Sequence, residues 1–262
     1  MATNKITQQL YNGEVLIDFF PDSHRYKLAG RKDYLVSVTA ATGVIDKSAV
    51  LMGWAVGLAC GHLRSYLGEQ PDGKFTAEEL LPVIDEAGRQ HTIKKDEAAS
   101  IGNQVHDFAQ KFAEHKMTGS PAPELTEEME EGVVLGITGF LDWYAENKPE
   151  FIANEKLIYS RAYEYCGKFD VVAKINGEIV LLDYKTSSGV YPEHFFQLSG
   201  YWQAYAEEYP DQAPARAMIL HFDKKTGAFS VKGYASEDQN KYFGTFLACL
   251  TLKKALKAMY SF

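Results

Sequence analysis

The chain has 262 residues, 46% hydrophobic and 24% charged, enough apolar material for a sizeable core in one large domain or two small ones. Its formal net charge of −8 argues against a sequence-independent nucleic-acid coat, because such binding comes from neutralising phosphates; any path for a polyanion must be a local basic stripe. No apolar run reaches the length of a membrane helix, and the polar stretch Met1 to Gly13 predicts neither a secretory signal nor a transit peptide, so a soluble protein is expected.

The 16 Tyr and 15 Phe fit a packed protein rather than a disordered one. Cys60, Cys166 and Cys249 lie far apart and form no CxxC pair, which predicts thiols in a reducing compartment rather than a zinc site or a disulfide framework.

Residues 14–20 and 34–39 read as strands flanking the turn-rich PDSHRYKLAGRKD, an N-terminal hairpin. From Asp46 to about Leu67 the positions of Val50, Leu51, Trp54, Leu58 and Leu63 suit a helix, and Thr76 to Glu79 resembles a capping box opening another. Residues 96–117 form a stronger helix, with Ile101, Val105, Phe108 and Phe112 at spacings of three and four. A further helix is expected from about Thr126 to Asn147, stopping before Pro149.

The texture then turns to strands. ANEKLIYS alternates, GKFDVVAKI is β-rich, and the run Ile179 to Leu182 suggests a strand buried on both faces. A helix follows around 194–208, then a strand pair, 216–222 and 228–234, joined by DKKTG. The last helix opens at Ser236 and carries Tyr242, Phe243, Phe246, Leu250 and Leu256 inward. The order describes an α/β fold, taken as a single domain over 1–262: an N-terminal hairpin and helical subregion over 1–95, and a core over 96–262.

Asn176-Gly177 between two β-rich runs is a strong hairpin signal, because a type I′ turn needs positive φ at both central residues. With Ile175 facing Glu178, pairing continues outward until Asp170 lies across from Asp183, with Cβ atoms roughly 5 Å apart. Like charges so opposed destabilise a sheet unless something positive lies between them, and a divalent cation is the economical answer. Lys185 shares that face by strand period, though the same register sets Lys168 opposite Lys185, a less comfortable pairing. A carboxylate pair with a lysine can bind a metal, orient a water and stabilise charge on a phosphate. The plainer reading, two solvated carboxylates near strand ends, fits poorly with Asp183 directly after a four-residue apolar run.

Glu155, Gly167-Lys168-Phe169-Asp170, Leu182-Asp183-Tyr184-Lys185-Thr186-Ser187 and Gln197-xxx-Tyr201, preceded by Ile101 to His106, together resemble the PD-(D/E)XK nuclease superfamily, in its RecB-like exonuclease branch. Ser37-Val38-Thr39 followed by Asp46-Lys47-Ser48 is similar to phage-type and mitochondrial-type members. The fold implied is a restriction-endonuclease-like core, a mixed sheet flanked by helices. The resemblance implies Asp170, Asp183, His106 and the Tyr184 carbonyl as ligands of Mg²⁺ or Mn²⁺, and Glu155 as orienting the metal shell or the attacking water. It gives Lys185 the stabilisation of developing charge, and Gln197 and Tyr201 the positioning of Lys185 or a phosphate.

Without the resemblance, His106 reads first as a hydrogen-bonded helix histidine and Glu155 as an exposed strand residue, while Gln197 and Tyr201 read equally as a surface and a core-edge residue. Candidate DNA contacts are Ser37, Thr39, Lys47, Ser48, Thr186 and Ser187, since hydroxyls and helix starts suit phosphates. The cysteines cannot supply the iron–sulfur cluster of some relatives, so none is expected. The function implied is a metal-dependent DNA exonuclease of phage or bacterial recombination or repair, in the cytoplasm of a bacterium or an infected host. No P-loop is present, so unwinding falls to a helicase or recombination partner. The alternative is a catalytically inactive DNA-binding or assembly subunit on the same fold.

Overall fold

The computed structural model describes residues 4–69 and 73–260. By contacts the chain divides into two units, Met1–Ile45 with Gln104–Phe262, and Asp46–Asn103, which groups the N-terminal strands with the core.

In the first unit, β1 (Ile6–Leu10), β2 (Val15–Phe20) and β3 (Arg25–Leu28) form an antiparallel sheet in the order β1-β2-β3. The expected hairpin is therefore a three-stranded sheet. Residues read as a turn supply β3, because Tyr26 alternates inward opposite Phe19 and is buried. Of the expected strand 34–39, only β4 (Val36–Ser37) remains. Ser37 caps α1 (Val38–Thr42), its Oγ accepting the Ala40 N–H at 3.1 Å.

The central sheet has the order β11-β10-β9-β8-β5, built from β5 (Glu150–Asn154), β8 (Val171–Ile175), β9 (Glu178–Lys185), β10 (Arg216–Phe222) and β11 (Phe229–Ala235). β9 and β10 are parallel, and the other neighbours are antiparallel. A parallel pair needs a crossover, here α5 (Pro192–Glu208). The expected turn is present, with Asn176 at φ 51° and Gly177 at φ 87°, and it sets Ile175 opposite Glu178 and Val171 opposite Leu182. Of the apolar run, Val180, Leu181 and Leu182 are buried, while Ile179 at the hairpin end is half-buried.

Leu181, Val172 and Ile219 pack with Leu198 and Trp202 of α5 and with Phe246 of α6 (Gln239–Tyr260). Elsewhere on the sheet, Phe140 of α4 (Glu131–Asn147) meets the Tyr184 ring at 5.7 Å and Phe222 at 5.9 Å. The architecture is mixed α/β.

A third sheet, β4-β7-β6, is made with β6 (Leu157–Ser160) and β7 (Tyr165–Lys168). The stretches read as single strands, ANEKLIYS and GKFDVVAKI, each break in the middle and change sheets. Two hydrogen bonds hold the crossings together: Glu155 N–H donates to Asp170 C=O at 2.7 Å, and Phe169 N–H to Lys156 C=O at 3.3 Å.

The second unit holds α2 (Ser48–Gly68) and the first part of α3 (Ala77–Thr118). The two helices expected on either side of residue 96 are this one α3. Its start carries the expected capping box, with Glu79 N–H donating to Thr76 Oγ1 at 3.3 Å and Thr76 N–H to Glu79 Oε2 at 2.8 Å. Among the described residues no helix is long and apolar enough to cross a membrane.

Candidate active site

Asp170 lies one residue past the last β8–β9 pair, where β8 leaves β7, so its side chain turns over β9 and accepts the Tyr184 N–H at 2.7 Å. Asp183 follows Leu182 on β9 and is buried; its Oδ2 forms an ion pair with Lys185. The Lys185 ammonium also donates to the Tyr184 carbonyl at 3.3 Å. Two carboxylates, one carbonyl and one ammonium thus converge at the end of β9.

Burial pushes the Asp170 carboxyl up to about 6; the charges of Asp183 and Glu155 add to the rise, while His106 and Lys185 oppose it. Lys185 shows the reverse balance. Burial disfavours its charge, but Asp183 and Asp170 outweigh that and hold the ammonium above the ordinary lysine value. His106, on α3, points Nδ1 at Asp170 Oδ2 from 3.8 Å and sets its ring edge-on to Tyr184 at 5.9 Å.

Glu155 is not the exposed strand residue that the alternating ANEKLIYS stretch suggests. At φ 49° it is the left-handed hinge where the chain passes from β5 to β6. Its carboxylate pairs with Lys168, while its main chain is bonded to Asp170. The pairing of Lys168 across from Lys185 does not occur, because β7 belongs to another sheet and sets Lys168 opposite Leu157. Phe169 turns inward against Tyr205 at 5.5 Å.

Gly167 has a steric reason. A Cβ there would lie 2.8 Å from Tyr201 Cε1 and 3.0 Å from Val38 Cγ2, so only glycine lets the Tyr201 ring lie on β7. Tyr201 is buried; burial first, then the charges of Asp183 and Asp170, raises its hydroxyl well above the ordinary tyrosine value. Gln197, four residues earlier on α5, donates from Nε2 to Thr42 Oγ1 at 3.1 Å and so ties α5 to α1.

Ser37 and Thr39 bond each other through their hydroxyls at 3.2 Å. Thr186 is buried, and Ser187 Oγ donates to Gly189 C=O at 2.7 Å. Lys47 and Ser48 fall in the second unit, where Ser48 N–H donates to Asp46 Oδ1 at 2.8 Å.

Three residues that the sequence did not assign to the site belong here: Lys168 on Glu155, Thr42 under Gln197, and His221, whose Nε2–H donates to Ser187 C=O at 2.6 Å. His221 lies opposite Lys185 in the β9–β10 ladder, a neighbour that parallel pairing of the two strands would have given.

Residues 74–259 match the PD-(D/E)XK nuclease superfamily. The chain belongs to that superfamily. Among solved structures, this superfamily member is similar to an alkaline exonuclease (LHK-Exo) from Laribacter hongkongensis, at 13% identity over 58% of this chain and 83% of that one, TM-score 0.32. It is also similar to a phage-related exonuclease from Haemophilus somnus 129PT, at 10% identity over 59% and 83%, TM-score 0.30. No curated protein matches the chain.

PD-(D/E)XK nucleases generally use divalent metal ions. Among the described residues no three His, Cys, Asp or Glu side chains gather as a ready-made metal cluster. The oxygen donors of Asp170, Asp183 and the Tyr184 carbonyl nonetheless fit a hard cation, because Mg²⁺ is held by one or two carboxylates with water and phosphate completing its shell. The Lys185 ammonium, in contact with Asp183 and that carbonyl, marks where positive charge is called for.

Proposed function

We propose that this chain is a metal-dependent deoxyribonuclease acting as an exonuclease, with its chemistry at Asp170, Asp183 and Lys185. The observation that supports it most is the convergence of a buried and a half-buried carboxylate, Asp183 and Asp170, the second with its carboxyl raised to about 6, on a lysine ammonium. Two such acids are costly side by side unless a cation joins them.

In this reading Asp170, Asp183, the Tyr184 carbonyl and His106 hold Mg²⁺ or Mn²⁺. The bound ion would acidify a water and offset charge on the phosphate. The Tyr184 N–H fixes one oxygen of Asp170 and leaves the other for binding. Lys185, kept protonated by both acids, supports the charge that grows on the phosphate as water oxygen attacks phosphorus and the P–O bond to the leaving group breaks. Glu155 orients the water, with Lys168 as its counterion. Gln197 and Tyr201 fix α5 behind Lys185, and Ser37, Thr39, Lys47, Ser48, Thr186 and Ser187 are the proposed backbone contacts. The accompanying setting, phage or bacterial recombination or repair in the cytoplasm with a helicase or recombination partner, rests on the resemblance alone.

The test is nucleotide release from end-labelled single- and double-stranded DNA with Mg²⁺, Mn²⁺ or EDTA, for wild type, Asp183→Ala and the isosteric Asp183→Asn. Metal-dependent release that falls by roughly 1,000-fold in both variants is expected. Folded wild type that releases nothing in any metal would leave the DNA-binding or assembly role as the better account.

A further inference from the structure

A cavity of about 400 Å³ lies on the Glu155 and Lys168 side of the carboxylate cluster. Its lining comes from β1 to β3, the C-terminal turns of α3 and the β5–β6 crossing, with no residue from Asp46–Asn103. Its size falls in the usual range for small-molecule sites, roughly 300–1,000 Å³. The Glu155 N–H to Asp170 C=O bond, 2.7 Å long, joins this wall to the cluster through one main-chain contact.

The chemistry of the lining is specific. Gln8 and Gln110 bring carboxamides that offer donors and acceptors, and Asn154 brings a third that is held in place. Phe19 and Met117 bring an aromatic face and a polarisable thioether. Phe19 is itself held flat by stacking on buried Tyr26, with centroids 4.9 Å apart and planes 25° from parallel. Asn154 is fixed by donating from Nδ2 to the Gln110 carbonyl at 2.9 Å, leaving the Gln110 side chain uncommitted by that bond. The charged groups count against a phosphate here: Glu114 and Glu155 outnumber Lys168, whose ammonium already rests on Glu155. Flat apolar surface beside amide edges suits a heterocycle that stacks and hydrogen-bonds.

We propose that this cavity receives one unpaired nucleobase of the strand being cut, next to the scissile phosphate, so that the substrate is a single strand or a frayed end. A base still paired in a duplex has its pairing edge occupied by its partner and cannot enter until the pair opens. The inference rests on the nuclease reading for its neighbour but is tested without cleavage.

Oligonucleotides carrying 2-aminopurine at the 5′ or the 3′ terminus, single-stranded or in a blunt duplex, are titrated with the Asp183→Asn protein in Mg²⁺. Base fluorescence and anisotropy are read together. The expected result is quenching of 2-aminopurine at one end of the single strand and none in the blunt duplex. Gln8→Trp, which fills the cavity from a half-buried strand position, and Phe19→Leu, which removes the ring, each abolish the quenching and weaken binding about tenfold. Bound single strand with no fluorescence change at either end overturns the proposal, as does unaltered quenching in both variants or a complete lack of binding. Wild-type nuclease activity without quenching removes the base site alone. Quenching by a wild-type protein that cuts nothing removes the nuclease reading and keeps the site.

Discussion

Among the described residues of Asp46–Asn103 only Ala87 is fully buried, whereas the 17 residues of α4 bury Val133, Ile137, Phe140 and Trp143. Val50, Leu51, Met52, Trp54 and Val56 of α2 are all exposed. Both regions use apolar residues at helical spacing, but α4 lays them on Tyr184 and Phe222 of the sheet that ends in the carboxylates. Packing therefore fixes the elements around the site, while local terms such as the Thr76–Glu79 cap hold the helices of the second unit. Sequence periodicity does not distinguish the two cases, because it reports a face and not what covers it.

Replacing one tryptophan from each region sharpens the contrast most. Trp143→Ala is expected to cost about 3–5 kcal/mol in denaturant unfolding, while Trp54→Ala stays within about 0.5 kcal/mol. Similar losses would break the comparison and show that α2 has a buried face in solution. A smaller effect belongs to Gly167→Ala, whose methyl meets Tyr201 and Val38. It should destabilise by about 1–3 kcal/mol in the same assay, and substitution of Tyr201 by the smaller Leu should recover part of the loss. No recovery would mean that Val38 or the strand itself is what yields.

The smallest effect tests the N-terminal sheet. Asp18 accepts from Thr7 Oγ1 at 2.6 Å and from Lys5 Nζ at 2.9 Å, and these bonds hold its carboxyl below the ordinary value. A carboxyl lowered by folding stabilises at pH above its unfolded pKa and loses that contribution as pH falls through the folded one. The stability difference between wild type and Asp18→Asn should thus be constant above about pH 4, under about 1 kcal/mol, and vanish in more acid solution. A difference that grows on acidification contradicts the assignment.

The β8–β9 hairpin is legible in the sequence because Asn176-Gly177 dictates a turn and the turn dictates every pair up to Val171–Leu182. With the register come the nearness of Asp170 to Asp183 and the place of Lys185. Glu155 and Lys168 are misplaced because both lie at breaks, and nothing in their alternating neighbours marks the break. Glu155 adopts a conformation normally left to Gly, Asn or Asp, held there by its main-chain bond to Asp170. Thr42 and His221 escape for another reason: each acts across tertiary contacts, one from α1 to α5 and one from β10 to the loop after β9. α3 reads as two helices because the polar stretch Arg89 to Ser100, with Ile93 as its one large apolar residue, interrupts the stripe, although the cap at Thr76 starts a helix that runs on to Thr118.

The paired crossings at Glu155 and Asp170 make β6 and β7 an excursion that leaves and returns at one pinch point. What happens at its far end, around Arg161 to Glu164, does not reach the spacing of the two acids, which the pinch has already set. The tip is itself tied down, Arg161 pairing with Glu14, Glu164 with Arg31, and the Tyr163 carbonyl accepting from Lys254 Nζ, so a change there is felt by the N-terminal strands and the last helix before it reaches the base of the loop.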